Sequence, residues 1–288
     1  NGGKARALNH GLALARHQLI ITLDADSYLY RDALQRITER FLSDPPSTRA
    51  VAGTILVRNS RENWLTQAQE WDYFQGIATV KRVQSLNQGT LVAQGAFSLY
   101  DKATLLEVGG WPETVGEDIV LTWALLARGW RVGYCEDGVA FTNVPGTLRK
   151  FVRQRQRWAR GMIEAFKAHP GILFKPRLSS YFIWWDLAFP LMDLAYTFGF
   201  IPGLVLAAYG HYWIVGPMTL SLLPVAVVIN SVMYRTEKAM FTAQGLQVRK
   251  NHKGLLLYML PYGMLVQPAA VLGYASELLK LKKTWGTK

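Results

Sequence analysis

Cysteine is nearly missing from this 288-residue chain. Cys135 stands alone, which excludes an intrachain disulfide and points to a reducing compartment. Acids are scarce as well, 20 Asp and Glu against 32 Lys and Arg, for a formal net charge of +12. Histidine is thin: His10, His17, His169, His211 and His252 fall, like Cys135, into no triad and no zinc spacing. Each of them therefore reads as a structural residue and not as part of a triad or zinc site. What the chain does have is apolar bulk, with 50% of residues hydrophobic and 12% aromatic. Apolar and basic together fit an anionic membrane surface or a polyanionic substrate. Nucleic acid, the other standard partner of a basic chain, is disfavoured because the apolar residues lie in long blocks near the C-terminus.

Residues 1 to about 145 alternate helix and strand, the pattern of an α/β sheet domain. The patterning predicts helices over 5–16, 31–42, 63–82 and 119–127. It predicts strands over 19–23, 51–57 and 130–134, and strand material over 91–100 broken at Gly95. The chain opens at Asn1-Gly2-Gly3-Lys4, without Met and without a strand before its first helix, so residues are expected upstream.

The character changes at Leu148. Leu148, Val152, Ala159, Met162 and Phe166 form an apolar stripe, and Arg149, Lys150, Arg153, Arg155, Arg157 and Arg160 supply dense positive charge. That predicts an amphipathic interface helix within 148–180. Three apolar blocks follow, Tyr181 to Tyr209, Tyr212 to Tyr234 and Leu255 to Ser276, each near the ~20 residues that cross hydrocarbon. They predict two or three spans within 181–279, with Trp184, Trp185, Tyr209, Tyr212 and Trp213 as interfacial belts and a basic tail over 280–288. The basic link at 235–254 belongs in the cytosol by the positive-inside rule, and the α/β domain with it. The basic tail conflicts with a single third crossing, whereas a third block bent at Pro261 and Pro268 and re-entering keeps it inside.

Chemistry concentrates in three places. Leu19-Ile20-Ile21-Thr22-Leu23 stops at Asp24-Ala25-Asp26, which reads as a buried strand delivering two carboxylates to its C-terminal edge. That edge is where open α/β sheets bind ligands. Carboxylates suit Mg²⁺ or Mn²⁺ that also holds phosphate, although Asp-x-Asp equally caps helices or shapes turns. Gly116-Glu117-Asp118 precedes the helix at Ile119, where the N–H groups and the dipole favour ionised acids; an Asp N-cap is the plainer alternative. Upstream, Gly109-Gly110-Trp111-Pro112 presents an aromatic that is either a sugar-stacking plate or core. Gln154, Arg157 and Trp158 share a helix face at i, i+3, i+4, a set able to grip a diphosphate and a sugar acceptor.

Taken in order, Asp-x-Asp, Glu-Asp and Gln-x-x-Arg-Trp before apolar spans resemble the membrane-integrated family-2 processive β-glycosyltransferases. Among these are the synthases of cellulose, chitin, hyaluronan and poly-β-1,6-N-acetylglucosamine; Asn1-Gly2-Gly3-Lys4-Ala5-Arg6-Ala7-Leu8-Asn9 is similar to a segment of the last group. The resemblance covers nearly the whole chain. It implies a GT-A-like α/β domain, incomplete at its N-terminus, over 1–147, since the family's first strand and uridine-holding acidic motif have no counterpart here. It implies Asp24 and Asp26 as the metal-diphosphate pair (Mg²⁺ or Mn²⁺), Lys4 near the nucleotide, and Asp118 as the acceptor's general base with Glu117 beside it. Gln154, Arg157 and Trp158 would close over donor diphosphate and acceptor. Gly116 stands where the family commonly has Thr.

The implied activity is inverting transfer from a UDP-sugar, N-acetylglucosamine, to a growing glycan at a bacterial inner membrane, with membrane lipids and accessory membrane or periplasmic subunits as partners. Two other readings stay open. One is single addition to a lipid acceptor, a group that usually lacks Gln-x-x-Arg-Trp. The other is a silent membrane adaptor, against which the intact acids speak.

Overall fold

The computed structural model describes residues 3–87, 89–247 and 249–282. Asn1, Gly2 and the tail beyond Lys282 lie outside the described residues, and with them part of the Gly-Gly-Lys segment and most of the basic tail. The chain builds a five-stranded mixed sheet in the order β1-β4-β3-β5-β2. Its strands are β1 (Leu19–Leu23), β2 (Tyr28–Leu29), β3 (Thr48–Val57), β4 (Phe97–Asp101) and β5 (Arg131–Thr142). β3 and β5 run parallel, β4 runs antiparallel to both β1 and β3, and β2 runs antiparallel to β5. The register pairs Leu23 with Phe97 and Ala52 with Ser98, so the end of β1 and the start of β4 open on one edge of the sheet.

β1 falls where the sequence puts it, but it is not a buried strand. Among the described residues it is an edge, with Thr22 buried and Ile21 and Leu23 exposed. The expected strand over 91–100 starts only at Phe97, because Leu91, Ala93 and Gly95 send their N–H groups to side chains. Among the described residues of this stretch, only Thr90 N–H and the Ala96 carbonyl bond to other backbone, that of Val132 and Asp24.

Helices cover the sheet: α1 (Lys4–Leu14), α2 (Ala33–Ser43), α5 (Lys102–Glu107) and α6 (Glu117–Ala127). The predicted 63–82 helix is one continuous rod in three parts. α3 (Trp64–Trp71) passes through a π-helical segment (Asp72–Thr79) into α4 (Val80–Leu86). It starts at Asn63, whose side chain accepts from Leu65 and Thr66 N–H while the Thr66 hydroxyl accepts from Asn63 N–H, a reciprocal capping box. α7 (Leu148–Ala168) crosses α6 where glycine meets glycine: a Cβ on Gly161 would sit 2.7 Å from Gly116 Cα. Only two residues without side chains allow that approach, which gives Gly116 a packing reason in place of the Thr common in the resembling family.

α7 is amphipathic but not a uniformly basic face. Arg155 and Arg160, read from sequence as membrane-facing charge, are buried. Arg160 Nε donates to Glu277 Oε2 at 2.7 Å, and Arg155 Nη2 donates to Asp72 Oδ2 at 2.7 Å and to the Tyr262 hydroxyl at 2.9 Å. Both arginines bind α7 to other elements instead of to a lipid surface.

Two helices are long and apolar enough to cross a membrane, Leu178–Ala208 and Pro217–Ala243. The first is α8 (Leu178–Ala195) and α9 (Ile201–Ala208) joined by a π-helical stretch, and the second contains α10 (Leu222–Ala243). The third block is α11 (His252–Met259) and α12 (Gly263–Leu278), bent by 51° across a break that holds Pro261. Counted as one it makes a third candidate. Much of it lies against the sheet domain's own helices: Gly273 packs on the Gln156 backbone of α7 and Gly254 on the Gln67 carbonyl of α3.

Replacing Arg155 by Ala strands Asp72 beside Tyr262 without its cation. The variant is expected to lose about 3–5 kcal/mol of stability, the range for breaking a buried ion pair. Thermal unfolding in detergent micelles reads this out; an unchanged Tm would show that water screens the pair.

Candidate active site

β1 ends at Leu23, and the chain turns at once: Ser27 N–H donates to the Asp24 carbonyl at 2.9 Å. Asp24 is half-buried and Asp26 exposed. Asp24 N–H donates to the Ala96 carbonyl at 3.2 Å, which ties this turn to the segment entering β4. From α1, Lys4 reaches across with Nζ 2.7 Å from Asp24 Oδ1 and 3.3 Å from Glu117 Oε1. One ammonium thus joins two acid motifs that are 93 residues apart in sequence (117 − 24).

Glu117 and Asp118 are the first residues of α6, with Gly116 as N-cap and no side-chain cap, so Asp118 is not the N-cap. Asp118 instead turns back over the start of its helix. Its Oδ1 accepts from Ile119 N–H at 2.8 Å and its Oδ2 from Gly95 N–H at 3.2 Å. Both acids lie in the first turn, where the helix dipole favours negative charge. Glu117 is buried, and burial first, then the adjacent Asp118 carboxylate, pushes it up to about 7 against the pull of Lys4. Burial alone would depress the Lys4 ammonium, but the Asp24 and Glu117 carboxylates outweigh it and hold Lys4 above the ordinary lysine value.

The backbone from Thr90 to Ala96 runs between these motifs as a strap. Gln84 Oε1 accepts from Thr90 Oγ1 and from Leu91 N–H, and Lys81 Nζ donates to the Val92 carbonyl. Ala93 N–H donates to Thr122 Oγ1 at 2.9 Å, and its carbonyl accepts from the Tyr100 hydroxyl at 2.9 Å. Gln94 Nε2 donates to the Gly53 carbonyl at 2.5 Å. Gly95 is glycine for space: a Cβ there would meet Lys4 Nζ at 2.5 Å. The strap therefore presents Gly95 N–H to Asp118 and the Ala96 carbonyl to Asp24 with every residue pinned from the side.

On α7, Gln154, Arg157 or Trp158, and Gly161 recur at helical spacing, so the motif shares its face with the glycine that abuts Gly116. That contact sets the motif one turn from the start of α6. The Trp158 ring, 40% exposed, stacks under the Arg155 guanidinium at 4.1 Å and lies 6.2 Å from the buried Tyr73 ring. The buried Tyr73 hydroxyl lies within the influence of Arg155, Gln154 and Arg157. Burial raises it to about 12, so it stays a neutral phenol.

Trp111 has a different place from the one expected. It is 2% exposed, its ring packs edge to face on Tyr100 with centroids 5.5 Å apart, and Asn9 clamps its backbone N–H and carbonyl, each at 2.8 Å. Its faces are used up by the core, so it offers no plate to a sugar, and Asn9 of the Gly-Gly-Lys segment is a clamp for this turn. Sequence reasoning also missed Lys81, Gln84, Thr122, Asp72 and Tyr73. A lone Lys in an apolar helix face, at Lys81, was the one available signal.

For a divalent cation the donors suit: two hard carboxylates at a strand end, with the remaining positions left to phosphate and water, as Mg²⁺ and Mn²⁺ prefer. Among the described residues no group of three or more His, Cys, Asp or Glu gathers, so an all-protein cage is not offered.

Residues 19–243 match the Glycosyl transferase family group 2. A poly-β-1,6-N-acetyl-D-glucosamine synthase of Staphylococcus aureus (strain COL) is 36% identical over 162 residues, 56% of this chain and 39% of the relative. The Staphylococcus epidermidis synthase of the same name is 34% identical over 162 residues. The chain thus spans about two-fifths of the length of the curated relatives it matches. A solved mannosyltransferase from Pyrobaculum calidifontis, in complex with GDP-Man and Mn²⁺, superposes with a TM-score of 0.56 at 18% identity, covering 97% of this chain and 68% of that one. This likeness is one of fold, and with the family match it makes the mixed sheet and its helices a GT-A-like fold. A match over more than three-quarters of the chain, on a sheet edge that gathers its acids, places this protein in the family-2 glycosyltransferases.

Proposed function

We propose that this chain carries the transfer site of an inverting, UDP-sugar-dependent polysaccharide synthase. It would add N-acetylglucosamine to a growing glycan at the cytosolic face of a bacterial inner membrane. The observation that carries the reading is the single ammonium of Lys4 joining Asp24 to Glu117, beside an Asp118 held by the strap. The sugar is suggested by the staphylococcal synthases, and the membrane by the two apolar helices that follow the domain.

Each residue then has a task. Asp24 and Asp26 would hold Mg²⁺ or Mn²⁺, which when bound supplies charge neutralisation to the departing nucleoside diphosphate. Arg157 adds a planar cation to the same leaving group. Asp118 accepts the proton of the acceptor hydroxyl, its second oxygen being steadied by Gly95 N–H. The hydroxyl oxygen forms its bond to the anomeric carbon as the bond to the diphosphate oxygen breaks, which inverts that centre without a covalent enzyme intermediate. Lys4 keeps the two acid motifs at one distance while Glu117, near neutrality, limits the negative charge that the site must hold. Trp158 and Gln154, on the α7 face that carries Gly161, would steady the acceptor.

Three outcomes test this in the full-length membrane enzyme. Asp26→Ala is expected to abolish sugar transfer while membrane insertion is kept; unchanged turnover at saturating Mg²⁺ or Mn²⁺ removes the metal role. Asp118→Asn should slow transfer by roughly 10²–10⁴, the range for a lost general base, with donor affinity little changed. Loss of donor affinity with the rate intact would make Asp118 a structural group. Arg157→Lys keeps the charge but not the guanidinium fork, so transfer should drop severely. Polymer synthesis near the wild-type level would leave Arg157 with charge alone to contribute.

A further inference from the structure

Lys81 has no place in the mechanism above, yet it is a buried amine at the back of the site. Its side chain leaves α4 and, 6% exposed, ends on the Val92 carbonyl of the strap. Three residues on, the same strap delivers Gly95 N–H to Asp118. We propose that Lys81 is a positioning residue for Asp118: it fixes the strap that donates to that carboxylate. The inference rests on Asp118 being the acceptor's base.

The geometry separates Lys81 from an ordinary core lysine. Buried lysines are rare without a carboxylate partner, and this one donates to a backbone carbonyl. Burial pushes the amine down to about 7, and Asp118 is the charge that opposes this. Among the described residues, Lys4 from α1, Glu117 from α6, Tyr100 from β4 and Lys81 from α4 feel the charge of Asp118. Tyr100 is a phenol that burial holds far above the ordinary value, so it stays neutral. Glu117 is the like charge, and Lys4 already pairs with Glu117 and Asp24.

The test uses the full-length enzyme in detergent, with UDP-sugar and an oligosaccharide acceptor. Lys81→Met removes the hydrogen bond and the charge at similar length. Expected are an unchanged donor KM and a kcat lowered roughly tenfold to a hundredfold as for a slightly misplaced group. Lys81→Gln keeps an N–H for Val92 without the charge; it should recover most of kcat. A Met variant with wild-type kcat overturns the proposal. So does loss of folding or of UDP binding in both variants, which would make Lys81 a structural residue only. Asp118→Asn measured alongside separates the failures. If it keeps full turnover the base assignment falls; if it loses turnover while both Lys81 variants behave as wild type, only Lys81 is misassigned.

Discussion

Negative charge is the constraint on which the rest of this site depends. Asp24 and Glu117 share Lys4 at one sheet edge with Asp118 next to Glu117, and carboxylates so placed repel unless cations or helix N–H groups offset them. Lys4 does the first part by touching Asp24 and Glu117, and the start of α6 does the second. Burial then keeps Glu117 near neutrality, so the site holds fewer full charges than its composition suggests. A donor diphosphate enters such a place only with its own cations, which is the physical case for pairing carboxylates with Mg²⁺ or Mn²⁺ and a guanidinium in one site.

The same edge is held in shape by unlike devices. The strap at 90–96 forms no strand, and side chains from α4, α6 and β4 meet its backbone at Leu91, Val92, Ala93 and Gly95. A buried backbone must be satisfied somewhere, and here the satisfaction itself aims Gly95 at Asp118. Gly116 and Gly161 fix how near α7 comes to α6, while Arg155 and Arg160 fix its opposite sides to Asp72 and Glu277. The helix that bears Gln154, Arg157 and Trp158 is thus anchored on three flanks. Its contacts with α12 link that motif to the bent third apolar block, so displacement of either would be felt by the other.

Much of this was readable from residue order. The run Leu19–Leu23 ending in Asp24 and Asp26, the helix starting at Glu117 and the long amphipathic α7 all follow from local patterning, because strand and helix periods are written residue by residue. The apolar stretches and the bend at Pro261 were equally plain, since length and proline act locally. Tertiary structure decided the rest. Arg155 and Arg160 look identical in sequence to Arg153 and Arg157, and only their partners, 83 and 117 residues away, make them buried struts. Trp111 reads as a plate until Tyr100 and Asn9 close around it. The strap reads as strand until its hydrogen bonds are found to go sideways, and Lys81 gains meaning only once Val92 and Asp118 come near. Periodicity records which way a side chain can point; what it meets there depends on residues far along the chain, and those contacts exist only after folding.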